Sequence, residues 1–198
     1  MKLKVCGLSN PSEVEICINN NVNFCGFILN YPKSHRYISY EKAKKLLCIN
    51  KNKTQYVGVL VKPTLDELKK FSQLNLDYFQ LYGHYDNKSL EKIKKKFKKK
   101  VIATIQVKSK SDIEIYKNLQ DASDIILWDS SGYEKSLSWN HSWIKDIRIK
   151  GEKMIAGNIT KDKLVNLSKF ADIVDVSGAL ETNKVKDNQK IIEFVTCL

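Results

Sequence analysis

Short apolar or β-branched runs recur along the chain at residues 3–7, 24–29, 56–61, 78–81, 101–107, 124–128, 153–156 and 173–176. Runs this short suit strands. Between them the apolar spacing changes to the helical period, as in EKAKKLL at 41–47, LDELKKF at 65–71 and the stretches 90–97, 161–170 and 188–195. The pattern predicts eight strand–helix units in strict alternation. Alternation of this kind requires parallel strands joined by helical crossovers, the α/β class. With no linker, repeat spacer or change of composition, the chain reads as one domain over residues 1–198. A single closed (β/α)8 TIM barrel fits eight units better than an open doubly wound sheet does.

The chain is short for such a barrel, so most loops must be lean. The longest, at 30–40 and 130–141, are expected to carry function. In this fold the chemistry gathers at the C-terminal ends of the strands. The residues there are Cys6 and Gly7, the segment 30–37, Lys62 and Pro63, the segment 80–84, Gln106, Asp129, Gly157 with Asn158, and Ser177-Gly178-Ala179. A thiol from the first strand and a carboxyl from the sixth would face one small substrate across the barrel mouth, an arrangement suited to proton transfer. The small-residue turns after strands seven and eight are where such barrels often hold a phosphate, through backbone N–H groups.

Composition changes this picture little. The formal charge is +12, and the tract KIKKKFKKK at 92–100 raises the alternative of a basic, non-catalytic nucleic-acid-binding protein. Ile93 and Phe97 stand four apart within the tract, however, as a buried helical stripe with lysines solvating the rest. Arg36 and Arg148 are the only arginines, and the bias toward Lys, Asn and Ile matches AT-rich codons. No nucleic-acid partner is expected. Neither is a membrane, since no apolar stretch approaches the roughly 20 residues of a bilayer span. The N-terminus lacks the apolar core of a signal peptide, so the expected location is cytoplasmic. Five scattered cysteines without a C-x-x-C pair read as reduced thiols rather than a disulfide framework or zinc site.

Seven segments in register carry a resemblance. They are KVCGL at 4–8, GFILNYPKSHRYIS at 26–39, VGVLVKP at 57–63, FQLYGH at 79–84, IILWD at 125–129, IAGNI at 155–159 and VDVSGALE at 174–181. In this order they resemble the phosphoribosylanthranilate isomerases, barrel enzymes of tryptophan biosynthesis that catalyse an Amadori rearrangement without a metal or organic cofactor. The resemblance implies Asp129 as the general acid that protonates the ring oxygen and Cys6 as the general base at C2. It implies Arg36 as the partner of the anthranilate carboxylate. Gly157, Asn158, Ser177, Gly178 and Ala179 would line the phosphate site, with Gln80 and His84 as further substrate contacts at the mouth. The expected partner is a small phosphorylated substrate, and the chain is expected to be a monomer or homodimer. Another phosphosugar-binding barrel enzyme is the nearest competing reading. The chain departs from the family pattern at 132–139, where a G-T-G and a Phe-Asp-Trp segment are usual. It departs again at Asn158 and at Ser177-Gly178-Ala179, where A-G-G and S-S-G are usual. Trp139 is expected to pack rather than stack on ligand.

Overall fold

The computed structural model describes residues 1–130 and 137–198. Among them, eight parallel strands close into a barrel in sequential order. They are β1 (Lys2–Cys6), β2 (Phe24–Ile28), β3 (Gln55–Val61), β4 (Tyr78–Tyr82), β5 (Lys100–Val107), β6 (Ile125–Ser130), β7 (Glu152–Ile155) and β8 (Ile173–Val176). β1 pairs with both β2 and β8, which closes the ring and leaves it without an edge strand.

Alternation along each strand sorts side chains into two cores. Outward residues such as Val5, Phe27, Leu60, Leu81, Ala103, Trp128 and Val174 pack against the helices. Inward residues Phe24, Val57, Tyr78, Ile102, Ile125, Leu127, Met154 and Ile173 form a second apolar cluster that plugs the barrel's lower half. The next inward positions up the strands are largely polar, and there the site begins.

The crossovers are helical where capping and apolar spacing agree. α1 (Pro11–Asn19), α3 (Leu65–Ser72) and α4 (Asn87–Phe97) each open on a reciprocal capping box, formed by Asn10 with Glu13, Thr64 with Glu67, and Asp86 with Ser89. α2 (Tyr40–Leu46) is capped by Ser39 alone. In α4, Leu90, Ile93 and Phe97 are buried while the tract's lysines face outward, and Lys94 pairs with Asp124 at 2.9 Å.

Strict alternation fails in the second half. The crossover from β5 to β6 is a 3-10 segment (Lys110–Asn118), and 3-10 turns stand at His141–Ile144 and Lys161–Lys163. The helix expected over 161–170 shrinks to α5 (Leu164–Leu167), preceded by the 3-10 turn and followed by Ser168, whose hydroxyl donates to the Val165 carbonyl at 3.0 Å. α6 (Asn188–Val195) follows its expected span.

One element had no counterpart in the sequence reading. β9 (Glu181–Thr182) and β10 (Val185–Lys186) form an antiparallel hairpin beyond β8, in which Glu181 stands opposite Lys186. Its two turn residues, Asn183 and Lys184, both take left-handed backbone with φ of 52° and 65°, as a two-residue hairpin requires.

Candidate active site

The barrel's C-terminal mouth holds a cavity of about 330 Å³. Cys6, Asp129 and Asp175 reach it from β1, β6 and β8. Ile28, Val59, Val61 and Tyr31 give it an apolar wall, and Arg36 closes one side. Opposite that wall lie Gly157, Asn158 and the stretch Ser177-Gly178-Ala179, backbone-rich turns after β7 and β8. Asn158 holds left-handed backbone at φ 51°, a conformation asparagine tolerates better than most residues.

Two polar supports lie one layer below the reactive groups. Under Cys6, the fully buried Lys4 donates from Nζ to both carboxylate oxygens of Asp175, at 2.9 and 2.8 Å. The two face each other directly in the β1–β8 ladder. Beside Asp129, the Tyr82 hydroxyl donates to Oδ2 at 2.7 Å, and Gln80 donates to the Tyr82 oxygen from beneath at 3.2 Å.

Burial pushes the Asp129 carboxyl up to about 6, reinforced by the nearby Asp175 carboxylate and opposed by the Tyr82 hydrogen bond. A carboxyl so placed carries a proton well above the usual carboxylate range. Burial likewise raises the Cys6 thiol, and the Lys4 ammonium pulls the other way. Burial works against the charge on Lys4, but Asp175 and Cys6 outweigh it and hold the ammonium above its ordinary value.

Arg36 is fixed by its neighbours. Its Nε and Nη2 donate to the two oxygens of Glu181, at 2.5 and 3.0 Å, in a bidentate fork. Lys186 donates to the same carboxylate and to Ser177 Oγ, the latter at 3.3 Å, and that hydroxyl donates to the Cys6 carbonyl at 2.9 Å. His35 stands 3.2 Å from Glu181. Burial penalises the Glu181 carboxylate, yet the hydrogen bonds from Arg36 and Lys186 prevail and hold it at about 2. Gly7 makes this approach possible. Its φ is +81°, and any Cβ there would collide with the Arg36 side chain.

Of the site residues named from the sequence, Cys6, Asp129, Arg36, Gly157, Asn158, Ser177, Gly178 and Ala179 line one cavity. The structure does not bring Gln80 or His84 there. Gln80 lies two residues before the end of β4, hence one inward layer deeper, where it is wholly buried beneath Tyr82. His84 follows the turn at Gly83, is exposed, and borders a separate depression with Lys62, Tyr85 and Gln106.

Trp139 packs as expected. Its indole N–H donates to the Ala156 carbonyl at 2.9 Å and its ring meets His141 edge-on at 4.6 Å. The altered residues at 132–136 lie outside the described residues. Among those described, no group of three or more His, Cys, Asp or Glu side chains is arranged to hold a metal. No helix there is long and apolar enough to cross a membrane.

The sequence reading missed Lys4, Tyr82, Asp175, Glu181 and Lys186 as individual residues, although most lie inside the motifs it used. The available signal was a charge at an inward position of an otherwise apolar strand, which burial makes costly unless it is paired.

Comparison with known proteins agrees with the geometry. The family description of N-(5'phosphoribosyl)anthranilate (PRA) isomerase matches residues 3–197. The N-(5'-phosphoribosyl)anthranilate isomerase of Streptococcus mutans serotype c is 33% identical over 199 residues, covering 98% of this chain and 96% of its own. That of Clostridium acetobutylicum is 31% identical over 204 residues, covering 98% and 96%. The crystal structure of phosphoribosyl anthranilate isomerase from Thermotoga maritima superposes with a TM-score of 0.88 at 25% identity, covering 100% of this chain and 98% of that one. With a family match spanning nearly every residue and a barrel mouth built to suit it, the chain belongs to the phosphoribosylanthranilate isomerases of tryptophan biosynthesis.

Proposed function

We propose that this chain converts N-(5'-phosphoribosyl)anthranilate to 1-(2-carboxyphenylamino)-1-deoxyribulose 5-phosphate by an Amadori rearrangement, with Asp129 as general acid and Cys6 as general base. The observation that carries the reading is the pairing in one cavity of a proton-retaining carboxyl, Asp129, with a thiol backed by an ammonium, Cys6 above Lys4.

Asp129 gives its proton to the furanose ring oxygen as the C1–O bond breaks, and the amino nitrogen takes up the positive charge as a protonated Schiff base. The Cys6 thiolate then removes the proton from C2, leaving an enolamine that tautomerises to the ketone. No atom is gained or lost. Water exclusion by the apolar wall strengthens both proton transfers.

Arg36 is the cation for the anthranilate carboxylate. Glu181 takes two of its five N–H groups and fixes the plane of the fork, so the remaining donors are held for the substrate. The turns at Gly157-Asn158 and Ser177-Gly178-Ala179 offer backbone N–H groups to the phosphate. Gln80 supports Tyr82 in this scheme instead of touching substrate, and His84 takes no part.

The test is loss of phosphoribosylanthranilate fluorescence on addition of the purified protein, with the aminoketose product identified by mass. Catalysed decay supports the reading. A rate equal to that without protein overturns it.

A further inference from the structure

Cys6 stands at the floor of the cavity, and the space beside it is set by Gly26, its direct partner in the β1–β2 ladder. A methyl group on Gly26 would lie 3.0 Å from Lys4 Nζ and 3.1 Å from Cys6 Sγ. The ammonium and the sulfur therefore border one small volume that only glycine leaves open. Lys4 precedes Cys6 by two residues, so both point inward. It is completely buried, and Asp175, which accepts two hydrogen bonds from it, itself lines the cavity.

We infer that Lys4, clamped by Asp175, is the positioning residue for Cys6, holding the sulfur at the cavity floor and stabilising the thiolate that takes the substrate proton. This deepens the proposed isomerase reading and rests on it for the identity of that proton. The reason for a pair rather than a lone lysine is electrostatic. An unpaired ammonium at this depth would shed its proton, whereas Asp175 keeps the charge in place. Asp175 also acts on the sulfur and disfavours the thiolate, though less than Lys4 favours it, and the remaining groups are already engaged or neutral. Arg36 and Lys186 share Glu181, and the Tyr82 hydroxyl from β4 donates to Asp129. Burial alone makes the thiol a weaker acid, and Lys4 is the strongest influence opposing that.

A buried ion pair can also serve the fold alone, and thiol chemistry separates the two roles. The experiment follows iodoacetamide alkylation of Cys6 against pH by intact mass, in a protein whose exposed Cys48 and Cys197 are changed to serine. Cys17 and Cys25 are buried and react slowly. Lys4→Met with Asp175→Leu removes both charges at similar volume. We expect Cys6 in this double variant to alkylate about tenfold more slowly near neutral pH, its profile displaced to higher pH by about one unit. Gly26→Ala keeps both charges and wedges a methyl between them, and it should shift the profile in the same direction by less. Should the double variant fail to fold, Gly26→Ala still decides. Profiles that superpose on the parent in the folded variants overturn the inference. Alkylation needs no substrate, so a parent that fails to turn over phosphoribosylanthranilate would count against the isomerase reading without touching this result.

Discussion

Asp129 and Cys6 are expected to work from inverted protonation states. The carboxyl with a value of about 6 must be protonated, while the thiol, which burial pushes above the ordinary thiol range, must be ionised. As pH rises toward 6 the thiolate fraction grows and the acid stays loaded. Between the two values the gain in thiolate cancels the loss of protonated carboxyl, and above the thiol's value only the loss remains. kcat/KM should therefore climb to about 6, run flat, and fall on the basic side beyond the ordinary thiol range. Tyr82→Phe removes the hydrogen bond that favours the Asp129 carboxylate, so the acidic limb should move to higher pH. An acidic limb that stays put in this variant would contradict the pairing of Tyr82 with Asp129. At this scale the sequence was legible for residues ending strands, since Cys6, Asp129 and Arg36 stand in the motifs that carry the resemblance. It was not legible for Lys4 and Asp175, whose charges look like surface residues until the strand register turns them inward. His84 is the converse case, because proximity in sequence to a strand end does not fix which way a turn throws its side chain, and here it borders a separate depression.

The elements follow local rules where local rules are strong. Thr64 and Glu67 satisfy each other's backbone N–H groups at 3.2 and 2.8 Å, so Thr64→Ala should lower unfolding stability by about 1 kcal/mol in denaturant titration, with kcat unchanged. The crossovers read as helical at 41–47, 65–71 and 90–97 came out as capped helices. Those rich in Ser, Asn and Asp gave way to 3-10 turns, since these side chains bond their own backbone, and the barrel needs only that the chain return to the bottom. The β9–β10 hairpin was hidden because its two-residue strands carry no periodic signal. It nonetheless brings Glu181 and Lys186 to Arg36. Glu181 titrates at about 2 in the fold and near 4.5 in the unfolded chain, so the folded state binds fewer protons between those values. Its stabilising contribution is complete above 4.5 and is lost as pH falls toward 2. Glu181→Gln should flatten that part of the stability curve in urea melts at acidic pH. It should also raise KM more than it lowers kcat, because Arg36 loses the carboxylate that orients it.

Across the whole molecule, 34 Lys and Arg stand against 22 Asp and Glu, and the lysine tract at 92–100 runs along the outer face of α4 and into β5. Lys95 is 82% exposed along its side chain and pairs weakly with Glu91 one turn earlier. Neutralising Lys95 and Lys96 to Gln should leave turnover within about twofold, since exposed charges this far from the site are screened at physiological salt. The apolar alternation closes the barrel, the barrel sets eight strand ends in a ring, and the ring brings residues 6 and 129 to one cavity. The claim that this cavity performs acid–base isomerisation is tested most directly by kcat/KM for phosphoribosylanthranilate in the parent, Cys6→Ala and Asp129→Asn proteins, each confirmed folded. The account predicts turnover in the parent and a loss of about 10²–10⁴-fold in each variant. A parent rate that survives either substitution within a few-fold would contradict it.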